Sequence, residues 1–233
     1  MARLPNIPTV WSNVFTAWVL GTGLRYDEPW RGFWPCLVAG TFLYAGGAIF
    51  SEALDAQFDR EHRPERPVPS GRIPRALAAT VGLGLWLASG IFFCVAAKWN
   101  IWALIPMLVV MAYGLIHKRV PSLAVLLMGG CRASLVYAVI MTWGWSRFTD
   151  VLWGPSSTAT LYMATLWIYV STISWVALGE MNLRHRKIVG LMLAALPFLD
   201  ALFLFFSPQI GWVLVPLACA GMAWALRRVA AAT

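Results

Sequence analysis

Residues 51–72 read Ser-Glu-Ala-Leu-Asp-Ala-Gln-Phe-Asp-Arg-Glu-His-Arg-Pro-Glu-Arg-Pro-Val-Pro-Ser-Gly-Arg, and they follow an apolar run long enough to cross a bilayer. Glu52, Asp55 and Asp59 stand at positions i, i+3 and i+7, so on a helix they share one face. Three carboxylates on one face repel each other and are costly near lipid unless a positive group lies between them. Mg²⁺ meets this need because it binds carboxylates and a substrate phosphate at the same time.

The second half of the same stretch supplies positive charge. The arginines are Arg60, Arg63, Arg66 and Arg72. Pro64, Pro67 and Pro69 stiffen this segment and exclude a regular helix, and Ser70-Gly71 marks a turn before a helix that starts near Pro74. Guanidinium groups held in fairly fixed positions suit phosphate oxygens. The stretch therefore predicts a diphosphate held by Mg²⁺ at a membrane surface.

The composition of the whole chain is that of a membrane protein. Of its 233 residues, 60% are hydrophobic and 12% are charged, whereas about 25% are charged in a typical soluble domain. Apolar segments occur near 8–24, 32–53, 74–97, 100–117, 121–144, 159–180, 187–206 and 209–226. Each matches the length that a helix needs to span a bilayer. We therefore expect an all-α, polytopic transmembrane bundle of about eight spans, forming a single domain over residues 1–233.

The net charge of +8 is distributed unevenly over the loops. One side of the predicted bundle carries Arg3, Arg60, Arg63, Arg66, Arg72, Arg75, Lys118, Arg119, Arg184, Arg186, Lys187, Arg227 and Arg228. The other side carries Arg25, Arg31, Lys98 and Arg147. The positive-inside rule then places both termini and the polar loops in the cytoplasm. Topology and lipid headgroups account for these charges, so no nucleic-acid partner is expected.

A second polar junction follows the fourth span and contains Tyr113, Lys118 and Arg119. Arg132 lies deeper, about three turns into the next span, where a charged side chain must face a partner or a watery cavity. A buried pair with Glu180 or Asp55 is one interpretation of Arg132. His117 ends the fourth span, and a solvated position at the interface is expected for it.

A third junction, after the sixth span, reads Gly179-Glu180-Met181-Asn182-Leu183-Arg184. Glu180 has no second carboxylate three or four residues away, so this helix end offers at most one anionic ligand to a metal. The three junctions lie on one side of the predicted bundle and can converge on one cavity between helices.

Together the three junctions resemble the UbiA superfamily of intramembrane prenyltransferases. Ser51–Asp59 is similar to that family's first aspartate-rich signature, and Arg63-Pro-Glu-Arg-Pro-Val-Pro-Ser-Gly-Arg72 is similar to the arginine-proline loop that follows it. Arg3-Leu4-Pro5-Asn6 with Asn13 looks like the family's first helix, and Tyr113 with Lys118-Arg119 resembles the motif at the end of its fourth helix.

The resemblance implies transfer of an isoprenyl group from a prenyl diphosphate to an acceptor that the motifs do not name, in contact with membrane lipid and with Mg²⁺ as cofactor. The implied metal ligands are Glu52, Asp55, Asp59 and Glu180. The implied catalytic residues are Asp55, Asp59, Lys118, Arg119 and Glu180. The implied substrate-binding residues are Asn13, Ser51, Arg63, Arg66, Arg72, Tyr113, Arg132 and Arg184.

The chain departs from the family pattern at two places. Ser51 and Glu52 stand where asparagine and aspartate are usual, and Glu180 replaces a pair of aspartates, so Arg184, Arg186 or Lys187 would compensate the charge there. The reduced second signature leaves open a protein that binds or moves a prenyl lipid without chemistry. A CDP-alcohol phosphatidyltransferase is disfavoured because its Asp-Gly-x-x-Ala-Arg segment is absent.

Overall fold

The computed structural model describes residues 4–22, 30, 32–142, 158–178 and 183–232, and within these ranges all regular structure is helical. The helices are α1 (Ile7–Thr22), α2 (Phe33–Leu54), α3 (Ala56–His62), α4 (Arg75–Ala96), α5 (Ile105–Ile116), α6 (Pro121–Met141), α7 (Thr158–Leu178), α8 (Leu183–Phe205) and α9 (Leu214–Ala232). Short 3-10 turns at Leu4–Asn6, Ile101–Leu104 and Ile210–Val213 precede α1, α5 and α9.

Most of these helices are long enough to cross a bilayer. Six segments of the described chain qualify by length and composition: Phe33–Leu54, Arg75–Ala96, Pro121–Met141, Thr158–Leu178, Ile188–Phe205 and Ile210–Val229. The apolar segment Ile101–Ile116 is shorter, as is α1 with 16 residues. The sequence prediction of an all-α, multi-pass membrane bundle is confirmed, and the predicted number of passes is close to the observed one.

Glycines allow two pairs of helices to approach closely. A Cβ atom added to Gly82 on α4 would lie 2.6 Å from the backbone nitrogen of Phe50 on α2, and one added to Gly46 would lie 2.7 Å from that of Trp86. On α6, a Cβ atom at Gly129 would collide with the backbone of Trp167 on α7. Small residues at such crossings let membrane helices gain dispersion contacts that larger side chains would prevent.

Helix α1 is enclosed by the rest of the bundle. It contacts α2, α6, α7, α8 and α9, and its residues 12–19 are all buried. Val10, Val14 and Trp18 pack in the apolar core, but Ser12 and Asn13 are also fully buried. Buried polar side chains need hydrogen-bond partners, so α1 must find them on neighbouring helices.

The proline-containing segment between α3 and α4 is irregular, as predicted. Arg63 ends α3 by donating its backbone N–H to the carbonyl of Asp59, and Pro74 directly precedes α4. The side chain of Arg75 then donates from Nε to the carbonyl of Ala53 at 2.9 Å. This bond fixes the start of α4 against the end of α2, and therefore beside the carboxylates that follow α2.

Candidate active site

The first two aspartates of the site lie where α2 passes into α3. Asp55 is a single turn residue between the helices, but the helical hydrogen bonds continue through it: its N–H donates to the carbonyl of Ser51 at 2.9 Å and its carbonyl accepts from Asp59 at 2.8 Å. The near-helical path preserves the i, i+4 spacing of Asp55 and Asp59, which brings both carboxylates to the same side.

Lys118 joins the two carboxylates. Its Nζ lies 3.0 Å from Oδ1 of Asp55 and 3.9 Å from Oδ1 of Asp59, and it also lies 3.9 Å from the centre of the Phe58 ring. Arg66 donates from Nη1 to Oδ2 of Asp59 at 2.6 Å. The arginine-proline segment and the α5–α6 turn thus converge on the carboxylates, although they are far apart in the sequence.

His117 contacts the same site, contrary to the sequence expectation that it is merely solvated. Its Nε2 lies 3.2 Å from Oδ2 of Asp55, and its Nδ1 lies 3.0 Å from the carbonyl oxygen of Gly114. A backbone carbonyl and an ionised carboxylate both accept hydrogen bonds, so these two contacts favour the doubly protonated, positively charged imidazole. Tyr113 stacks on the His117 ring with centroids 5.2 Å apart, which places Tyr113 at the edge of the site.

The charges around Asp55 shift the pKa of both partners. Burial pushes the pKa of Asp55 upward, but the hydrogen bonds from His117 and Lys118 outweigh it and the pKa is lowered. The hydrogen bond to Asp55 raises the pKa of His117 more than burial lowers it. Each shift favours the charged form of its residue, and the two shifts together favour an ion pair between His117 and Asp55.

Glu52 and Ser51 lie beside this cluster with different surroundings. Glu52 lines an otherwise apolar cavity of about 320 Å³ between α1, α2 and α4, together with Ile7, Tyr44 and Leu77. Ser51 is buried and donates its hydroxyl to the carbonyl of Ala48 at 3.0 Å. Glu52 therefore stands at the boundary between the charged cluster and an apolar space.

Asp55 and Asp59 are the carboxylates of this cluster that could bind Mg²⁺. Within the described ranges no three His, Cys, Asp or Glu side chains are grouped closely enough to hold a metal ion by themselves. Mg²⁺ commonly binds through only one or two carboxylates, with water and substrate phosphates completing its coordination. Asp55 and Asp59, which already share one cation, fit that second arrangement.

The other arginines that the sequence analysis predicted to act at the site lie at the surface or outside the described side chains. Arg63, Arg72 and Arg119 are exposed to the surroundings of the bundle. Arg184 lies in the first turn of α8, but its side chain is outside the described part of the chain, and Glu180 lies outside the described residues altogether.

Arg132 is buried in a different environment from the one expected. It donates from Nη1 to Oδ1 of Asn13 at 2.7 Å and from Nη2 to Oγ1 of Thr9 at 3.0 Å. The interpretation of Arg132 as a buried partner of Asp55 is wrong, because Arg132 binds Asn13 and Thr9 while Asp55 is held by His117 and Lys118. The alternative partner, Glu180, lies outside the described residues. Arg132 and Asn13, both predicted to bind substrate, do lie together.

Sequence reasoning missed Asp200 on α8, which is completely buried. Its carboxylate accepts hydrogen bonds from Ser12, from Nδ2 of Asn13 at 3.0 Å and from the hydroxyl of Tyr162 at 2.7 Å. The signal that could have revealed Asp200 was available, since an acidic residue in the apolar run Ala-Leu-Pro-Phe-Leu-Asp-Ala-Leu-Phe needs a partner inside the bundle.

The comparisons with known proteins agree with the motifs. No family profile matches the chain. Digeranylgeranylglyceryl phosphate synthase of Sulfolobus acidocaldarius is 29% identical over 86 residues, which is 37% of this chain and 30% of that protein. The synthase of Korarchaeum cryptofilum is 39% identical over 72 residues, or 31% of this chain and 24% of that protein. These matches span less than a third of each relative's length.

The fold can be compared over almost the whole chain. A solved structure described as giving insights into the biosynthesis of digeranylgeranylglyceryl phosphate synthase in membranes aligns with a TM-score of 0.56 and 16% identity. The alignment covers 97% of this chain and 83% of that one, so the shared fold is not confined to one motif. Motifs, short sequence matches and fold together support the resemblance to the UbiA superfamily of membrane prenyltransferases.

Proposed function

We propose that the chain transfers an isoprenyl group from a prenyl diphosphate to an acceptor, with Mg²⁺ bound together with the diphosphate. The observation that carries the proposal is the convergence of Asp55 and Asp59 on the single ammonium group of Lys118. Two carboxylates that already share one cation are arranged to share a metal ion. Lys118 and Arg66 are then free to turn toward the negatively charged diphosphate.

Asp55 and Asp59 would hold the metal, with Glu52 next to them. The bound Mg²⁺ would neutralise charge on the diphosphate and so make it a better leaving group. Lys118, Arg66 and His117 are within reach of the same space, and their positive charges would stabilise the negative charge that grows as the C–O bond breaks. Arg63, Arg72, Arg119 and Arg184 would add long-range attraction for the anion.

The apolar cavity beside Glu52 suits a prenyl tail. Its walls are almost entirely aliphatic, including Ala45, Ala48 and Ile49 on one face of α2 and Val81 on α4. Each methylene group of a tail taken up from water would contribute about 0.8 kcal/mol to binding. The position of Glu52 on the cavity wall lets a tail in the cavity carry its diphosphate at the Asp55–Asp59 cluster.

Two further features belong to the proposal. Glu180, which follows α7 in the sequence, would supply one further anionic ligand to the metal, and Arg184 would compensate the charge there. The charge distribution of the loops would place the mouth of the site and both termini in the cytoplasm. The two relatives are named for the synthesis of a prenylated glyceryl phosphate, and the acceptor of this chain would be an amphiphile of comparable size.

A non-catalytic prenyl-lipid binder is the second candidate. It is favoured by the small number of metal-ligating side chains grouped in the described part of the chain. A binder would need the cavity and the positive charges but no departure of the diphosphate.

One experiment separates the two. Purified protein would be incubated with Mg²⁺, labelled prenyl diphosphates and a membrane extract as the source of acceptor, and release of inorganic diphosphate would be measured. An enzyme releases diphosphate, Asp55→Asn and Asp59→Asn abolish the release, and Glu61→Gln, which alters an exposed carboxylate on α3, leaves it unchanged. A binder retains the prenyl diphosphate intact, and this result would overturn the proposal of catalysis.

A further inference from the structure

The apolar cavity beside Glu52 has a defined extent along α2. Tyr44, Ala48 and Glu52 line it at intervals of four residues, so they follow one face of the helix. Tyr44 and Glu52 are the outermost α2 residues on the cavity wall. They are eight residues apart, which corresponds to about 12 Å along the helix axis. These two side chains therefore set the length that is available to a ligand along α2.

The Glu52 end of the cavity borders the charged cluster. Val68, on the proline-containing segment, lines the cavity and belongs to a small buried cluster with Ala53. Arg66, two residues earlier on the same segment, contacts Asp59. A ligand whose anionic head is held at the carboxylates would therefore place its apolar part in the cavity from this end.

The opposite end of the cavity is formed by Tyr44 and by the first residue of α1, Ile7. The indole N–H of Trp11 donates to Oγ1 of Thr41 at 2.9 Å, which fixes α1 beside α2. Because α1 and α2 are consecutive helices that run in opposite directions, Ile7 lies one turn from Trp11 on the same side as Tyr44 lies one turn from Thr41. Tyr44 and Ile7 thus meet at the same level.

A hydrogen-bonded network holds the ring of Tyr44 in place. The guanidinium carbon of Arg132 lies 5.5 Å from the centre of the Tyr44 ring. Arg132 donates to Thr9 and Asn13, and the amide of Asn13 donates to the buried carboxylate of Asp200. Tyr44 also packs against the main apolar core. A buried network whose members are hydrogen-bonded to each other is rigid, so Tyr44 cannot move aside without disturbing it.

Alanines leave the space beside Tyr44 open. Ala45 and Ala48 line the cavity from α2, and Ala78 lines it from α4. An alanine side chain ends at Cβ, so these positions bound the space without filling it. The ring of Tyr44 is the largest side chain on the cavity wall. Tyr44 is therefore the side chain that obstructs a ligand extended along α2.

We propose that Tyr44 limits the length of the prenyl tail, and that the donor is a short prenyl diphosphate of two or three isoprene units. With carbon–carbon bonds of about 1.5 Å, an extended chain of about ten carbon atoms, or about two and a half isoprene units, covers the distance from Glu52 to Tyr44. The inference rests on the proposed function, which holds the diphosphate at the carboxylates. A tail of four units would have to push against Tyr44 and its network.

The first test compares two tail lengths on the wild-type protein in phosphatidylcholine nanodiscs with Mg²⁺. Farnesyl and geranylgeranyl diphosphate are supplied at equal mole fraction in the bilayer, and the bound ligand is identified by mass spectrometry. Farnesyl diphosphate should bind more tightly by about tenfold, since forcing extra carbon atoms against a fixed ring has the cost of overpacking. Equal binding, or tighter binding of geranylgeranyl diphosphate, would overturn the length limit.

Two substitutions should move the limit in opposite directions. Tyr44→Ala removes the obstruction, so it should raise the affinity for geranylgeranyl diphosphate by about tenfold and leave that for geranyl diphosphate unchanged. Ala45→Phe places a ring beside Tyr44 without altering the contact of Tyr44 with Arg132. It should weaken binding of farnesyl diphosphate by about tenfold and spare geranyl diphosphate. If either variant changes the three affinities by one common factor, Tyr44 does not limit tail length.

Three control variants separate the length limit from a general loss of packing. Tyr44→Phe keeps the ring and should keep the wild-type preference; a shift like that of Tyr44→Ala would assign the effect to the hydroxyl group and overturn the role of the ring. Phe42→Ala removes a ring from the opposite face of α2, where Phe42 packs against Phe92 with ring centres 5.8 Å apart. Ala76→Phe adds a ring at an exposed position of α4. Neither should change the preference for tail length, and a shift in either would contradict the proposal.

One further variant separates failure of the length limit from failure of the proposed function. Asp55→Asn should abolish Mg²⁺-dependent binding of all three diphosphates. If Asp55→Asn binds them as wild type does while Tyr44→Ala still favours the longest tail, the proposed function fails and the length limit stands. If Asp55→Asn abolishes binding but the Tyr44 and Ala45 variants keep the wild-type preference, the proposed function stands and the length limit fails.

Discussion

The imidazole of His117 donates from Nε2 to Oδ2 of Asp55 across 3.2 Å, and this bond joins the end of α5 to the carboxylate that follows α2. The same ring donates from Nδ1 to backbone carbonyls of its own helix. His117 is therefore both the residue that directly follows α5, with its backbone N–H bonded to the carbonyl of Tyr113, and the partner of a candidate metal ligand. Its protonation state affects stability and the charge of the site together.

The first prediction concerns the pH dependence of stability in the metal-free protein. Because the pKa of His117 is raised, its contribution is complete below its ordinary pKa of about 6.5 and is lost as the pH rises through the raised value. Because the pKa of Asp55 is lowered, its contribution is present above about pH 3.9 and is lost as the pH falls through the lowered value. The pair should stabilise most between these limits.

The measurement is thermal unfolding of wild type and His117→Gln between about pH 5 and pH 9 in the presence of a chelator. Wild type should be the more stable protein at the acidic end, and the difference should shrink toward the alkaline end. If the unfolding temperatures of wild type and His117→Gln differ by the same amount at every pH, the protonation of His117 does not contribute to stability. His62→Gln, at an exposed histidine on α3, is the control.

The second prediction concerns Lys118 as a competitor of the metal. Lys118→Gln leaves Asp55 and Asp59 without their shared cation, so Mg²⁺ alone should bind more tightly, by about tenfold for one removed charge. The same change should weaken binding of a prenyl diphosphate, since the ammonium group would contact the phosphate. Calorimetry with Mg²⁺ and with a prenyl diphosphate tests whether the two affinities change in opposite directions. Arg60→Gln, at an exposed site on α3, is the control. A change of both affinities in the same direction would contradict the proposed role of Lys118.

The third prediction concerns the buried carboxylate of Asp200. Tyr162→Phe removes a hydrogen bond of 2.7 Å to a buried carboxylate and should lower the free energy of unfolding by about 1.5–3 kcal/mol. Tyr169→Phe removes a bond of 2.9 Å to the carbonyl of Met192 and should lower it by only about 1 kcal/mol. Denaturant unfolding in detergent compares the two, and equal effects would mean that the charge of Asp200 does not strengthen its hydrogen bonds.

The fourth prediction concerns the crossing of α2 and α4. Gly82→Ala should destabilise the protein because its Cβ atom would lie 2.6 Å from the backbone of Phe50, which cannot move without separating the helices. Gly84→Ala, one half-turn away on the same helix, meets nothing within 4 Å and should be neutral or stabilising, by up to about 1 kcal/mol from helix propensity. Thermal unfolding of both variants checks the difference, and a matching loss at both positions would argue against close packing at Gly82.

The fifth prediction concerns orientation in the membrane. Helix α4 has 22 residues, so the segments at its two ends are separated by about 33 Å, the thickness of a bilayer's apolar layer. In a background without the native cysteines, Glu65→Cys should react with an impermeant thiol reagent from the cytoplasmic side and Lys98→Cys from the opposite side. Labelling of both from one side would exclude the proposed topology.

Several features of the protein follow from local sequence and were predictable. The apolar runs are long enough to span a bilayer, and Pro74 directly precedes α4, where a proline interrupts no helical hydrogen bond. The spacing of Asp55 and Asp59 puts their carboxylates on one side of a helical path. These properties depend on residues that are near one another in the chain. The tertiary structure needed only to preserve them.

The partners of the polar side chains were decided by the tertiary structure. Asp200 meets Asn13 across 187 residues, Arg227 meets Asn6 across 221, and His117 meets Asp55 across 62. In a membrane bundle both the lipid-facing and the buried faces of a helix are apolar, so hydrophobic periodicity does not reveal which face a polar residue shares with which neighbour. The sequence by itself determined that these polar groups need partners, because unpaired polar groups are costly in the membrane interior. Only the packing of the helices around α1 decided which partners they have.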